Sequence, residues 1–310
     1  MRFTRSSMKA LVTGSSGFVG RHLTDHLRSC GDEVVGCDRA DGGPDITDAV
    51  AVENLFRAVR PEVVFNLAGS ADVGGSWQDP LQTFKTNAEG TLNVLLAARA
   101  AGVERTLVVA SADVYGRVTE DDLPLSEASV LMPVSPYAAS KVAADYLALQ
   151  AALGFGLDVV RVRPFNHIGP GQSERFVAPA IAARIARNEI SGAASVPVGN
   201  LTPRRDFTDV RDVVRAYRIV IDKGDAGAVY NVCSGTAIAI QELADRLIGM
   251  AKAPMQLTTE PSLERPVDIP VLVGDGSRLR AATGWEPQIP LDETLRDLLE
   301  YCRGHVARTR

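Results

Sequence analysis

Tyr137 and Lys141, in the string Tyr137-Ala138-Ala139-Ser140-Lys141, stand four residues apart. In a helix that spacing puts both side chains on one face, one turn apart. A phenol with its ordinary pKa of about 10 is a poor acid–base group at neutral pH. A neighbouring ammonium favours the phenolate, so the pair implies a tyrosine tuned toward proton transfer. Ser111 closes an apolar run, Val108-Val109-Ala110, at the carboxyl end of a predicted strand. There its hydroxyl can hydrogen-bond a reacting oxygen, although a serine in that place can also simply cap the strand end. Asp113 follows two residues later, in Ser111-Ala112-Asp113-Val114-Tyr115-Gly116. No metal site is expected, because Cys30, Cys37, Cys233 and Cys302 lack Cys-x-x-Cys spacing and read as reduced packing residues.

The elements that hold this chemistry begin at Gly14-Ser15-Ser16-Gly17-Phe18-Val19-Gly20, which follows an apolar strand and opens an amphipathic stretch. Gly14 permits the tight turn, Gly17 lets the backbone approach a pyrophosphate, and Gly20 allows close packing, while the helix N-terminus offers N–H groups to phosphates. The expected ligand is therefore a nicotinamide dinucleotide. Asp38 ends the second apolar run, eighteen residues past Gly20, where a carboxylate can accept the ribose hydroxyls and repel a 2′-phosphate, which favours NAD over NADP. Arg39 beside it could instead pair with a 2′-phosphate. Asp45 and Ile46 are candidates for the adenine side, or for a plain surface turn.

Short apolar runs alternate with amphipathic stretches from Lys9 to Arg163, including helices over about Phe18–Ser29, Leu81–Ala101 and Tyr137–Ala152. That alternation predicts an α/β fold, a doubly wound parallel Rossmann sheet. Beyond Arg163 the chain is rich in turns and reads as a smaller, interleaved α/β substrate-binding domain, with Ala226–Ser234 returning to the main sheet. The expected division gives 8–165 plus about 206–235 to the dinucleotide and about 166–205 with 236–303 to the substrate, the cleft between them being the ligand site. The 310 residues are 45% hydrophobic and carry a net charge of −5, enough apolar surface for two cores and no electrostatic case for binding nucleic acid or an anionic membrane. With no apolar run long enough to span a bilayer and no apolar signal segment, the expected location is the cytoplasm.

The glycine turn, Asn66-Leu67-Ala68-Gly69, the Ser111–Gly116 string and Tyr137–Lys141, with the later Arg163-Pro164-Phe165-Asn166-His167-Ile168-Gly169-Pro170-Gly171-Gln172 and Arg204–Asp212, resemble the extended short-chain dehydrogenase/reductases that modify nucleotide sugars, the NAD-dependent epimerase/dehydratase family. The resemblance spans essentially the whole chain. It implies that Tyr137 exchanges a proton with the sugar oxygen, Lys141 tunes it and holds the nicotinamide ribose, and Ser111 orients the substrate. It also implies cofactor contacts at Leu67, Ala68, Gly69 and Pro164, and substrate contacts at Asn166, Arg205 and Arg265, whose guanidinium groups suit a diphosphate. Asn87 matches a recurrent family asparagine, as a proton relay or as a structural contact.

Within the family, 4,6-dehydratases carry an acid and a base at the positions of Ala112 and Asp113; here one is a methyl and the other a shorter carboxylate, which argues against dehydration. The strings after residue 160, with Val198-Gly199-Asn200 and Thr283–Leu291, are most similar to the GDP-4-keto-6-deoxy-D-mannose reductases, although Asp113 stands where those have glutamate. Reduction at C4 is the leading expectation. Epimerisation and dehydration are the alternatives within the fold, and a non-catalytic NAD(P)-sensing protein the alternative outside it. Relatives commonly form homodimers through the two long helices, and the apolar faces of Leu81–Ala101 and Tyr137–Ala152 permit that here.

Overall fold

The computed structural model describes residues 7–263 and 269–308. Through the first half, strand and helix alternate: β1 (Lys9–Thr13), α1 (Phe18–Ser29), β2 (Glu33–Cys37), α2 (Ala49–Val59), β3 (Val63–Asn66), α3 (Pro80–Phe84), α4 (Gly90–Ala101), β4 (Arg105–Val109), α5 (Pro136–Phe155) and β5 (Val159–Pro164). The second half runs β6 (Asn166–Ile168), α6 (Val177–Ser191), β7 (Ser195–Val198), β8 (Arg204–Asp209), α7 (Val210–Lys223) and β9 (Val229–Val232). It ends with β10 (Ala237–Ala239), α8 (Ile240–Gly249), β11 (Gln256–Thr259), β12 (Val271–Leu272), α9 (Ser277–Thr283) and α10 (Leu291–Arg308).

Six strands form one parallel sheet in the order β2-β1-β3-β4-β5-β9. The chain moves outward from β1 to β2 and then returns to the other side of β1 with β3, so the strand order reverses between β1 and β3. A crevice opens at such a switch point, outside the carboxyl ends of the strands. The sheet is apolar on both faces because both are covered. On one face Leu23, Leu27, Val213, Tyr217 and Val220 pack from α1 and α7; on the other, Phe56, Val94, Leu95 and Ala148 pack from α2, α4 and α5. A separate core joins α6, α8 and α10 through Ile181, Ile185, Leu243, Leu247, Leu295 and Leu298.

Strand β9 pairs with β5, in line with the return of Ala226–Ser234 to the main sheet. β8 pairs with β6, β10 and β12 outside that sheet, so its six residues, Arg204–Asp209, stay together there. The long helix expected over Leu81–Ala101 is broken into α3 and α4 by a π-helical turn over Lys85–Glu89. One extra residue per turn rotates Asn87 inward, where it is 1% exposed.

Candidate active site

The glycine turn is held by its own backbone. Gly14 has φ +71°, and its N–H donates to the Cys37 carbonyl at 2.8 Å. A Cβ on Gly20 would lie 2.0 Å from Gly14 O, whereas one on Gly17 would meet only that oxygen, at 3.1 Å. Gly20 therefore serves packing and Gly17 leaves open approach. No side chain caps α1 at Gly17, which leaves first-turn N–H groups directed at the crevice and fits the pyrophosphate of a dinucleotide. Phe18 stacks against His167 with the rings 7° from parallel, and Val19 packs against the main core.

Asp38 accepts from the N–H groups of Ser16 at 3.2 Å and Ala40 at 2.9 Å, which holds its carboxylate beside the turn. Ser16 Oγ bonds Asp41. Arg39 is engaged by Asp45 at 2.9 Å, and Asp45 also caps Thr47, whose hydrogen bonds with those of Arg39 hold that carboxyl below the usual range. Ile46 is buried against Gly90, and its carbonyl accepts from Asn93 Nδ2 at 2.9 Å. Asp38 is thus held beside the glycine turn, and Arg39 pairs with Asp45 at the surface.

Ser135 caps α5 by accepting from the Ala138 N–H, Pro136 occupies its first turn, and Ser76, fully buried in the Gly75–Trp77 turn, accepts from the Tyr137 N–H at 3.2 Å. Tyr137 and Lys141 are 7% and 8% exposed. Lys141 Nζ donates to the Val109 carbonyl at 3.0 Å and would lie 3.5 Å from a Cβ on Gly69. The turn after β3 and the end of β4 are thereby brought to one lysine. Burial pushes the Lys141 pKa down to about 8.

The tyrosine departs from the sequence expectation. Its pKa is pushed well above the ordinary value, first by burial and then by the nearby Asp113 charge, with a hydrogen bond from Ser111 acting the other way. The lysine lies on the same face as expected, but its ammonium is directed to a carbonyl and does not offset the loss of water around the phenol. Tyr137 therefore rests protonated. Ser111 Oγ accepts from the Asp113 N–H at 3.1 Å, which is the strand-end cap the sequence offered as one of its two readings.

Asn87 makes structural contacts. Its side chain accepts from the Ser70 N–H at 2.7 Å and donates to the Ser70 carbonyl at 3.1 Å and Ser140 Oγ at 2.8 Å. It holds the Gly69–Ser70 turn against the helix bearing Lys141. Ala68 N–H donates to Thr13 Oγ1, Leu67 N–H to the Thr13 carbonyl, and Pro164 ends β5 at the same edge of the sheet. Of the substrate candidates, Asn166 is exposed on β6 and pairs with Phe207 of β8. Arg205, two residues back on β8, is anchored to the carbonyls of Arg204 at 2.9 Å and Ile269 at 2.6 Å. Arg265 lies outside the described residues. Sequence reasoning missed Ser76 and Ser140, because a buried serine that binds backbone carries no motif.

Known proteins share this architecture. Residues 10–233 match the model of the NAD dependent epimerase/dehydratase family. The chain is 38% identical to the GDP-6-deoxy-D-mannose reductase of Pseudomonas aeruginosa, over 97% of this chain and 99% of that one. Among solved structures it is similar to RMD from Pseudomonas aeruginosa complexed with NADPH (TM-score 0.87, 37% identity, 96% of this chain and 99% of that one). It is also similar to the UDP-glucose 4-epimerase of Thermus thermophilus in complex with NAD (TM-score 0.85, 31% identity, 96% and 99%). With the glycine turn at the switch point of the sheet, and tyrosine, lysine and serine gathered at its carboxyl edge, the likeness along the whole chain means that this protein belongs to the NAD-dependent epimerase/dehydratase family of NAD(P)-dependent enzymes.

Proposed function

We propose that the protein reduces the C4 keto group of a nucleotide-linked 4-keto-6-deoxy sugar, with GDP-4-keto-6-deoxy-D-mannose as substrate and GDP-D-rhamnose as product. The observation that carries this reading is a buried, protonated Tyr137 as the proton-holding group of the constellation, beside a turn whose Ala112 offers no acid for elimination. Reduction of a ketone needs one hydride and one proton. The nicotinamide cofactor supplies the hydride when bound, at the crevice lined by Gly14–Gly20, Asp38, Leu67–Gly69 and Pro164. Tyr137 Oη gives its proton to the C4 oxygen as that oxygen gains charge, Ser111 Oγ donates a hydrogen bond to the same oxygen, and the Lys141 ammonium, beside Gly69 and the Val109 carbonyl, is assigned to the nicotinamide ribose. Burial, and after it the nearby Asp113 charge, keeps the resting phenol protonated. Asn166, Arg205 and Arg265 are assigned to the sugar and its diphosphate, and the similarity to a GDP-sugar reductase along 97% of the chain supports the guanine nucleotide.

NADH and NADPH oxidation at 340 nm with GDP-4-keto-6-deoxy-D-mannose, and with its dTDP-linked glucose analogue, tests the reading. Fast oxidation with the GDP sugar is expected, with NADH preferred because Asp38, held beside the glycine turn, is assigned to the ribose hydroxyls, and Arg39 pairs with Asp45. Absence of oxidation with either sugar, or sugar turnover without added reduced cofactor, would overturn it in favour of epimerase or dehydratase chemistry.

The sugar is assigned to the region formed by residues 166–209 and 236–303, and the dinucleotide to 8–165 with 210–235. The working form is assigned as a homodimer. Helices α3, α4 and α5 leave Leu81 (66% exposed), Phe84, Leu96, Tyr146 and Leu153 (79%) in solvent, apolar side chains that a second copy would cover. Sedimentation is expected to give a dimer for the wild type and a monomer for Leu153→Glu with Leu81→Glu; a wild type monomeric at micromolar concentration would sink the assignment. No helix among the described residues is long and apolar enough to cross a membrane. The free thiol of exposed Cys30 suits a reducing compartment, and the cytoplasm is the proposed one.

A further inference from the structure

Beneath the catalytic helix lies a network of buried polar groups that the reaction itself does not use. Asp145, on α5 one turn beyond Lys141, has no exposed surface. Its Oδ2 accepts from Arg163 Nη2 at 2.6 Å and Nε at 3.2 Å, and its Oδ1 from Arg161 Nη1 at 3.1 Å. Arg163 extends to Tyr115: its guanidinium lies 5.3 Å from the ring centroid, and Nη1 donates to the phenol oxygen at 3.2 Å. The Tyr115 hydroxyl in turn donates to Asn231 Oδ1 at 2.7 Å, and Asn231, also fully buried, faces Arg163 across the β5–β9 pair.

Tyr115 ends the short 3-10 turn over Ala112–Val114 that starts at Ser111. One chain of charge-assisted contacts therefore runs from the helix carrying Tyr137 and Lys141, through β5, to the turn carrying Ser111 and Asp113. Bidentate contacts from an arginine to a buried carboxylate fix direction as well as distance. Removal of this single hydroxyl takes the donor from buried Asn231 Oδ1, while Arg163 Nη1 keeps only its other acceptor, the Glu127 carbonyl at 3.2 Å.

We propose that Tyr115, held between Arg163 and Asn231, is a positioning residue that sets the Ser111–Asp113 turn against the Tyr137–Lys141 helix. Ser111 and Asp113 act on the Tyr137 proton in opposite directions, so a shifted turn changes both influences together. Catalytic geometry is sensitive at a scale of about 0.5 Å.

Tyr115→Phe keeps the ring, its packing and its place under Arg163, and removes only the hydroxyl. The expected result is a roughly tenfold fall in kcat with KM for cofactor and sugar within about twofold. Leu298→Ala, in the separate core of α6, α8 and α10, lowers thermal stability without touching the turn and is expected to leave kcat within about twofold of wild type. A Tyr115→Phe enzyme with kcat within twofold of wild type would overturn the proposal. This kinetic arm rests on the proposed reduction, and a wild type inactive on 4-keto sugars would defeat that reading alone. The second arm is independent of substrate: in crystal structures of wild type and Tyr115→Phe, Ser111 Oγ is expected to shift by about 0.5 Å or more relative to Tyr137 Oη. An unmoved Ser111 overturns the proposal whatever the reaction.

Discussion

Tyr137→Phe is expected to lower kcat by roughly 10²- to 10⁴-fold, the range for loss of a positioned proton donor, with KM for cofactor and sugar nearly unchanged. The backbone of Tyr137 is held by Ser76, and its ring is buried, so phenylalanine fits the same space and the helix keeps its place. What disappears is the hydroxyl assigned to transfer its proton to the C4 oxygen, an interaction made in the transition state and hardly at all in the ground state. A variant retaining more than a tenth of wild-type turnover would remove Tyr137 from the mechanism. The pH profile separates Tyr137 from its partner. Burial disfavours the ammonium, so Lys141 loses its proton near pH 8 and not near its ordinary value, while Tyr137 is shifted in the other direction. Turnover should accordingly be full below pH 8 and decline through it, with Lys141→Met showing low activity and no such limb.

The parts of this site legible in the sequence are those whose chemistry depends on local spacing. Gly14, Gly17 and Gly20 follow a strand directly, and Tyr137 and Lys141 sit one helical turn apart, so neither feature needs tertiary information to be read. The alternation of apolar runs likewise gave the parallel sheet, because buried strands and crossover helices each have a characteristic period. The tyrosine pKa was not legible: the spacing places an ammonium nearby, but only the fold determines that it points at Val109 and that Asp113 approaches the phenol. The π-helical turn at Lys85–Glu89 was hidden because its residues are ordinary helix formers, and the inward turn of Asn87 is decided by Ser70 and Ser140, which are remote in sequence. Contacts such as Asp145 with Arg161 and Arg163 were invisible for the same reason. A run like Val159-Val160-Arg161-Val162-Arg163 reads as a strand with two charges, and only the packed helix supplies the buried carboxylate that makes those charges tolerable there.

Gly20→Ala and Gly17→Ala should separate packing from ligand approach within the same turn. An alanine Cβ at position 20 would stand 2.0 Å from Gly14 O and 2.8 Å from Ser15 Cα, and both are backbone atoms. The turn has no slack to yield, since Gly14 is bonded to Cys37 and a Cβ on it would in turn press within 2.8 Å of the Ala68 nitrogen. Helix α1 must therefore lift off the sheet, which is expected to cost about 1–3 kcal/mol of stability by overpacking and to weaken dinucleotide binding at least tenfold. At position 17 the new methyl meets a single oxygen at 3.1 Å, so the fold should melt close to wild type. The same methyl would stand where the pyrophosphate approaches α1, and dinucleotide affinity should fall by at least the same factor. Thermal melting and NADH fluorescence titration of the two variants check both statements. If Gly20→Ala melts like wild type, the close packing of α1 on the turn is not what requires glycine there, and if Gly17→Ala binds NADH normally, the dinucleotide does not lie over the start of α1.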